Sequence, residues 1–143
     1  MNSDRTDQIR KHIQKDPFAC WLGAEVEILE PGSARATMKL TEDMVNFHGK
    51  THGGVIFSLC DMAFAAASNS HGQTSMGVNV GIHYLKATGP GDVLVAEATE
   101  QSNSGPMGLY DILVKDGHTG ELVAKSQGLV YRKKEWFVAR ESE

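Results

Sequence analysis

The loop from Asn46 to Gly54, NFHGKTHGG, runs directly into VIFSLCDMAFAAAS, a stretch apolar on almost every side. One carboxylate, Asp61, interrupts that stretch. A charge among apolar residues is costly unless it is paired, hydrogen-bonded or opens onto a cleft. Gly53 and Gly54 stand just before the helix that this apolarity predicts. The first N–H groups of a helix have no intrahelical acceptor and favour negative charge. A helix carboxylate together with an open, amide-rich helix start suggests chemistry at a carbonyl.

Other chemistries can be built from the same residues. His48, His52 and Asp61 could be read as metal ligands, but Gly49 breaks a helical His–His face and no H-E-x-x-H occurs. Ser58, His52 and Asp61 could be called a triad, yet there is no G-x-S-x-G elbow and Ser58 falls inside the helix. Each residue also has a purely structural reading. Asp61 could pair with a nearby cation or interface group, and His52 could hold a loop hydrogen bond. Asn46 could brace its own loop, and the glycines could serve only the turn into the helix.

The elements that must position these residues follow from periodicity. Residues 4–15 predict a short polar helix with Ile9 and Ile13 on one face, broken at Pro17. Trp21, Leu22, Val26 and Ile28 suggest a first strand up to Glu30. Pro31-Gly32 is a turn. From Ser33 to Leu40, Ala34, Ala36, Met38 and Leu40 alternate with polar residues, a half-buried strand. Residues 54–70 predict a long helix closed near Gly72, and its near-uniform apolarity predicts that it is surrounded. Further strands are expected at Val78–Tyr84, Val93–Thr99, Leu109–Lys115 and Leu122–Tyr131. The stretch from Ser102 to Gly108 reads as loop, and the charged tail from Arg132 to Glu143 as frayed. One helix can be surrounded only if the sheet curls around it, so the expected class is α+β with an antiparallel sheet.

Composition narrows the field. The chain has 143 residues and a formal net charge of −4, which fits a single domain with a substantial core. No basic field exists for nucleic acid or an anionic membrane surface. No apolar run is long enough for a transmembrane helix, and the polar start lacks a secretory h-region. Cys20 and Cys60 are the two cysteines. They fit a reducing cytoplasm, where localisation is expected.

The pattern Asn46-x5-His52-Gly53-Gly54-x2-Phe57-x-Leu59-x-Asp61 resembles the signature of hotdog-fold acyl-CoA thioesterases, and most closely the phenylacetic-acid-degradation (PaaI) type. Ala63-Phe64-Ala65, Asn69-Ser70-His71-Gly72 and Gly108 to Ile112 add to the likeness, which covers roughly residues 18–131. The resemblance implies a sheet wrapped around the central helix and hydrolysis of aryl- or arylacetyl-CoA, such as (hydroxy)phenylacetyl-CoA, without a cofactor or metal. Small- or medium-chain acyl-CoA is the next reading, and a non-catalytic acyl-CoA-binding module or a hotdog dehydratase the further ones. Asp61 is implied as the catalytic carboxylate and Gly53 as the N–H that polarises the thioester carbonyl. Asn46 is implied to position water or the carboxylate, and His52 to shape the loop and support the carbonyl. In some relatives a serine or threonine on the following strand assists the aspartate. In Ser75-Met76-Gly77-Val78, glycine takes that slot. Lys86, Arg132, Lys133 and Lys134 are candidates for the phosphates of coenzyme A, with a solvated charged surface as the alternative.

Spacing adds one constraint. Asp61 is eight residues beyond Gly53, about 12 Å of rise along one helix. An attacking group must lie within about 3 Å of its target, or one water away. Two antiparallel helices from two subunits satisfy both conditions, so a homodimer with two composite sites is expected. The resemblance implies the same arrangement, often as a homotetramer built from two dimers.

Overall fold

The computed structural model describes residues 3–140. Helix α1 (Ser3–Ile13) and helix α2 (Pro17–Leu22) precede strands β1 (Glu25–Glu30) and β2 (Ser33–Lys39). A short 3-10 turn, Glu42–Met44, leads through the polar loop into helix α3 (Gly53–Asn69). Strands β3 (Gln73–Tyr84), β4 (Val93–Ser104), β5 (Met107–Asp116) and β6 (Leu122–Trp136) complete the chain. They form one six-stranded sheet in the order β1-β2-β4-β5-β6-β3, and every pairing is antiparallel.

All six strands touch α3, so the sheet wraps the helix. The period-two residues of β2 and β4 supply the concave lining: Ala34, Ala36 and Met38 pair with Ala98, Ala96 and Leu94, all essentially inaccessible. Alanines at these positions let the helix approach closely. At the other side of the helix the aromatic ring of Phe64 lies against the adjacent strands β3 and β6. A Cβ on Gly77 would come within 3.1 Å of that ring, and one on Gly128 within 2.6 Å. Both strands therefore carry glycine where the ring passes. Tyr110 meets Phe64 edge-on, with centroids 5.8 Å apart.

The end of α3 is tied to the strands by polar side chains. Asn69 Oδ1 accepts from Ser75 N–H at 2.9 Å, and Ser70 Oγ accepts from Gly32 N–H at 2.7 Å. The likeness around residues 69–72 thus has a structural basis.

Several expectations need correction. Residues Pro17–Leu22 are helix, not strand: Asp16 caps the Phe18 and Ala19 N–H groups, Pro17 occupies the first turn, and Gly23 closes it at φ +74°. Proline there starts a helix rather than only ending one. The stretch from Ser102 to Gly108 is a tight hairpin, with Gly105 at φ +63° between β4 and β5. The tail does not fray at Arg132: β6 pairs on to Trp136, and Val138 is buried. Finally, α3 is not enclosed all round. Gly54, Asp61 and Ala65 form an exposed stripe along it, one helix face in the protomer.

Candidate active site

The polar loop is held from within and from outside. Asn46 Oδ1 accepts from the N–H groups of His48 at 2.9 Å and Lys50 at 3.2 Å. The Asn46 N–H donates to the Lys50 carbonyl at 2.7 Å. Val45 and Thr51 form a bridge across the base. Thr51 is anchored to the β3–β4 connection: its N–H donates to the Thr88 carbonyl at 3.0 Å, and the Thr88 hydroxyl donates to the Thr51 hydroxyl at 2.8 Å. The bracing role read for Asn46 is therefore real, and it uses the amide oxygen. The amide NH₂ has no partner among the described residues.

At the helix start, His52 is the N-cap. Its backbone N–H donates to the Met44 carbonyl at 2.8 Å, and its Nδ1 accepts from Gly54 N–H at 3.1 Å. That bond assigns the proton of the neutral ring to Nε2, which makes Nε2–H a donor. On the other side of the same peptide, the Tyr84 hydroxyl donates to the Gly53 carbonyl at 3.0 Å. The Tyr84 ring lies only 3.3 Å from where a Gly53 Cβ would stand. The peptide joining Gly53 and Gly54 is thus clamped at both its C=O and its N–H. The N–H of Gly53 itself has no acceptor among the described residues. Tyr84 was legible only as a strand residue, since no spacing rule connects the end of β3 to a loop 31 residues earlier.

Asp61 lies two turns further along α3, on the exposed stripe. Its carboxyl is held above the ordinary carboxylate range, first by desolvation among apolar neighbours and then by the charge of Asp16. It is accessible at the helix surface yet poorly solvated, and it forms no hydrogen bond or ion pair among the described residues. The neighbouring Cys60 is buried, and that burial, with Asp61 adding to it, pushes its thiol up to about 12. Such a thiol is inert as a nucleophile. Ser58 donates its hydroxyl to the Gly54 carbonyl at 2.8 Å, an ordinary helix back-bond. The structure brings Asn46, His52 and Gly53 together. It keeps Asp61 of the same chain about 12 Å along the unbroken helix from Gly53.

Gly77, where the resemblance implied an assisting hydroxyl, carries no side chain, and a Cβ there would come within 3.1 Å of the Phe64 ring. Of the cations, Lys86 follows Tyr84 closely and pairs with Glu121. Lys133 and Lys134 are exposed where β6 meets the start of β3, at the far end of α3 from Gly53. Arg132 must be corrected as a phosphate contact. Its guanidinium is buried and donates to the carbonyls of Gly105 and Met107, the latter at 2.8 Å. Among the described residues, no group of three or more His, Cys, Asp or Glu side chains converges to hold a metal. No helix among them is long and apolar enough to cross a membrane.

Comparison with known proteins agrees with this geometry. The model of the Thioesterase superfamily matches residues 48–123. A protein of Archaeoglobus fulgidus named "Putative esterase" is 36% identical over 136 residues, covering 94% of this chain and 88% of that one. The acyl-coenzyme A thioesterase PaaI of Escherichia coli is 37% identical over 99 residues, 69% of this chain and 71% of its own. The solved structure of the E. coli PaaI protein from the phenylacetic acid degradation operon superposes with a TM-score of 0.88 at 31% identity, covering 94% of this chain and 97% of that one. The sheet-wrapped helix is thus shared architecture, and the chain belongs to the Thioesterase superfamily, as a hotdog-fold thioester hydrolase of the PaaI type.

Proposed function

We propose that the protein hydrolyses acyl-CoA thioesters to free acid and coenzyme A, with aryl- or arylacetyl-CoA such as (hydroxy)phenylacetyl-CoA as substrate. The observation that carries this reading is the clamped helix start, which leaves the Gly53 N–H as the unused donor. A thioester carbonyl placed there meets a preorganised N–H and the positive end of α3, where oxyanion charge is stabilised. His52 Nε2–H and the Asn46 amide NH₂ flank it as further donors. Asp61 supplies the carboxylate, either drawing a proton from an attacking water or attacking the carbonyl itself to give a mixed anhydride. In both routes the thiolate of coenzyme A leaves. In the water route the acid's new oxygen comes from water, whereas in the anhydride route water that attacks the Asp61 carbonyl leaves its oxygen on Asp61 and the acid departs with an oxygen from Asp61. Single-turnover hydrolysis in oxygen-18 water separates them: label in the Asp61 carboxylate requires the anhydride.

The carboxylate comes from a second copy of the chain in this reading. Three features support it. Asp61 is too far along its own helix from Gly53. The stripe of Gly54, Asp61 and Ala65 is small and open enough for a second helix to lie against it. Strand β3 is a free sheet edge bearing the exposed side chains of Met76, Val78 and Tyr84, with Leu85 just beyond its end, and such an edge is a template for pairing. The assembly is a homodimer with two shared sites, joined into a homotetramer. Lys86 serves the phosphates of coenzyme A, whereas Lys133 and Lys134 lie at the far end of α3 and form no joint site with it on one chain. No cofactor takes part, and the cytoplasm is the site of action, in keeping with the free thiols Cys20 and Cys60.

Thiol release across a panel of aryl-, arylacetyl- and short- to medium-chain acyl-CoAs tests the activity. The expected result is the highest kcat/KM on an aryl or arylacetyl thioester. A preference for straight chains would move the substrate to the short- or medium-chain class, and binding without release would make the protein an acyl-CoA-binding module.

A further inference from the structure

A groove of about 570 Å³ runs between α2 and the first turns of α3. Phe18, Trp21 and Leu22 form one wall, Val55 and His52 the other, and Met44 lies at the base. Its size falls within the range of small-molecule sites. Trp21 is 79% exposed and Phe18 48%, although both are large aromatic residues whose burial is strongly favourable. Their rings stack with centroids 6.0 Å apart and 21° between planes, so a further aromatic ring can extend the stack on an exposed face. Helix α2 is not a loose flap: its cap by Asp16 and the left-handed Gly23 fix it at both ends.

The groove also has an end point. His52 lines it and caps the helix whose first N–H, that of Gly53, is open. A group entering between α2 and α3 therefore ends beside the carbonyl position of the reaction proposed above.

We propose that this groove is the acyl-group site, and that Trp21 and Phe18 select an aromatic acyl group by stacking on it. The inference rests on the thioesterase reading for the position of the carbonyl, and it adds the residues that set substrate choice. Among the described residues no other pair of aromatic rings lines the groove: Phe47 is 93% exposed but packs against His48 and is not part of the lining.

The test compares wild type, Trp21→Ala and Phe18→Ala by two measurements. The first is kcat/KM on phenylacetyl-CoA and on acetyl-CoA. The second is calorimetric binding of the non-hydrolysable thioethers S-phenethyl-CoA and S-ethyl-CoA. Wild type is expected to bind the phenethyl compound more tightly, and each substitution to lower the phenyl-over-ethyl preference by roughly tenfold or more. Because both side chains are largely exposed, folding of the variants is checked simply by thermal unfolding. A phenyl preference unchanged by both substitutions would overturn the proposal, as would its absence in wild type. So would a change of oligomeric mass in Trp21→Ala with no change of preference, which would make the aromatic pair a subunit contact. Thioether binding with the expected pattern but no turnover of any thioester would uphold the groove and sink the thioesterase reading instead.

Discussion

The shared site can be tested by mixing two inactive variants, Asp61→Asn and Asn46→Ala. The first removes the carboxylate and keeps its shape. The second removes the oxygen that accepts from His48 and Lys50 N–H. These two bonds are exposed, so each contributes about 1 kcal/mol or less. The Val45–Thr51 bridge and the Thr51–Thr88 bonds remain, and Asn46→Ala should fold. Each homodimer then lacks one component in both sites and should retain about 1% of wild-type turnover or less. After joint unfolding and refolding of equal amounts, random pairing makes about half of the dimers mixed. In a mixed dimer, one site collects both lesions and the other collects the intact loop and the intact Asp61. The mixture should therefore recover about a quarter of wild-type specific activity. Thiol release measures it, and mass spectrometry of differently tagged chains verifies the exchange. Verified mixed dimers with activity no higher than the parents' would refute the argument from helical rise, whatever the fate of the thioesterase function.

Three further perturbations follow from the same geometry. Tyr84→Phe keeps the ring over Gly53 and loses the bond to its carbonyl; kcat should fall roughly three- to tenfold with KM little changed, and a kcat equal to wild type would show that the clamp is not needed. Asp61 has a raised pKa in the fold, so its contribution to stability is greatest below its unfolded pKa and is lost as pH rises through the folded value. Thermal unfolding of Asp61→Asn from pH 3 to 7 should show less loss of stability with rising pH than wild type, and an identical slope in both proteins would contradict the desolvated carboxylate. Gly128→Ala forces a Cβ to within 2.6 Å of the Phe64 ring. It should destabilise by about 1–3 kcal/mol in denaturant unfolding, and an unchanged midpoint would mean that Phe64 repacks freely.

How much of this was legible in the sequence depends on whether a signal was local. The β2 alternation, the long apolar helix and the HGG start each lie within one window, and each appears where the pattern places it. Helix α2 was misread because Trp21 and Leu22 look like strand residues when the cap signals on either side, Asp16-Pro17 and Gly23, are not weighed together. The tail was misread because its charges suggest solvent. Alternate residues of β6 in fact face inward, and the Arg132 side chain finds backbone carbonyls there. The open stripe on α3 could not be read from composition, because alanine and glycine suit a buried face and a subunit interface equally. Tyr84 was invisible for another reason: its contact with Gly53 exists only after β3 has folded back along the helix.

The ring of Phe64 also limits what this protein can become. A serine at position 77 would put a hydroxyl on β3, but its Cβ meets the ring at 3.1 Å. Gly128 already bounds the ring on β6 and Tyr110 stands edge-on to it, which leaves it little room to yield. Gly77→Ser is therefore disfavoured while Phe64 is present, and a smaller residue at 64 leaves a cavity while glycine remains at 77. Each change is harmful alone, and the two become compatible only together, a coupling that contacting residues commonly show. A hydroxyl at position 77 is thus accommodated without loss of stability only when positions 64 and 77 change together.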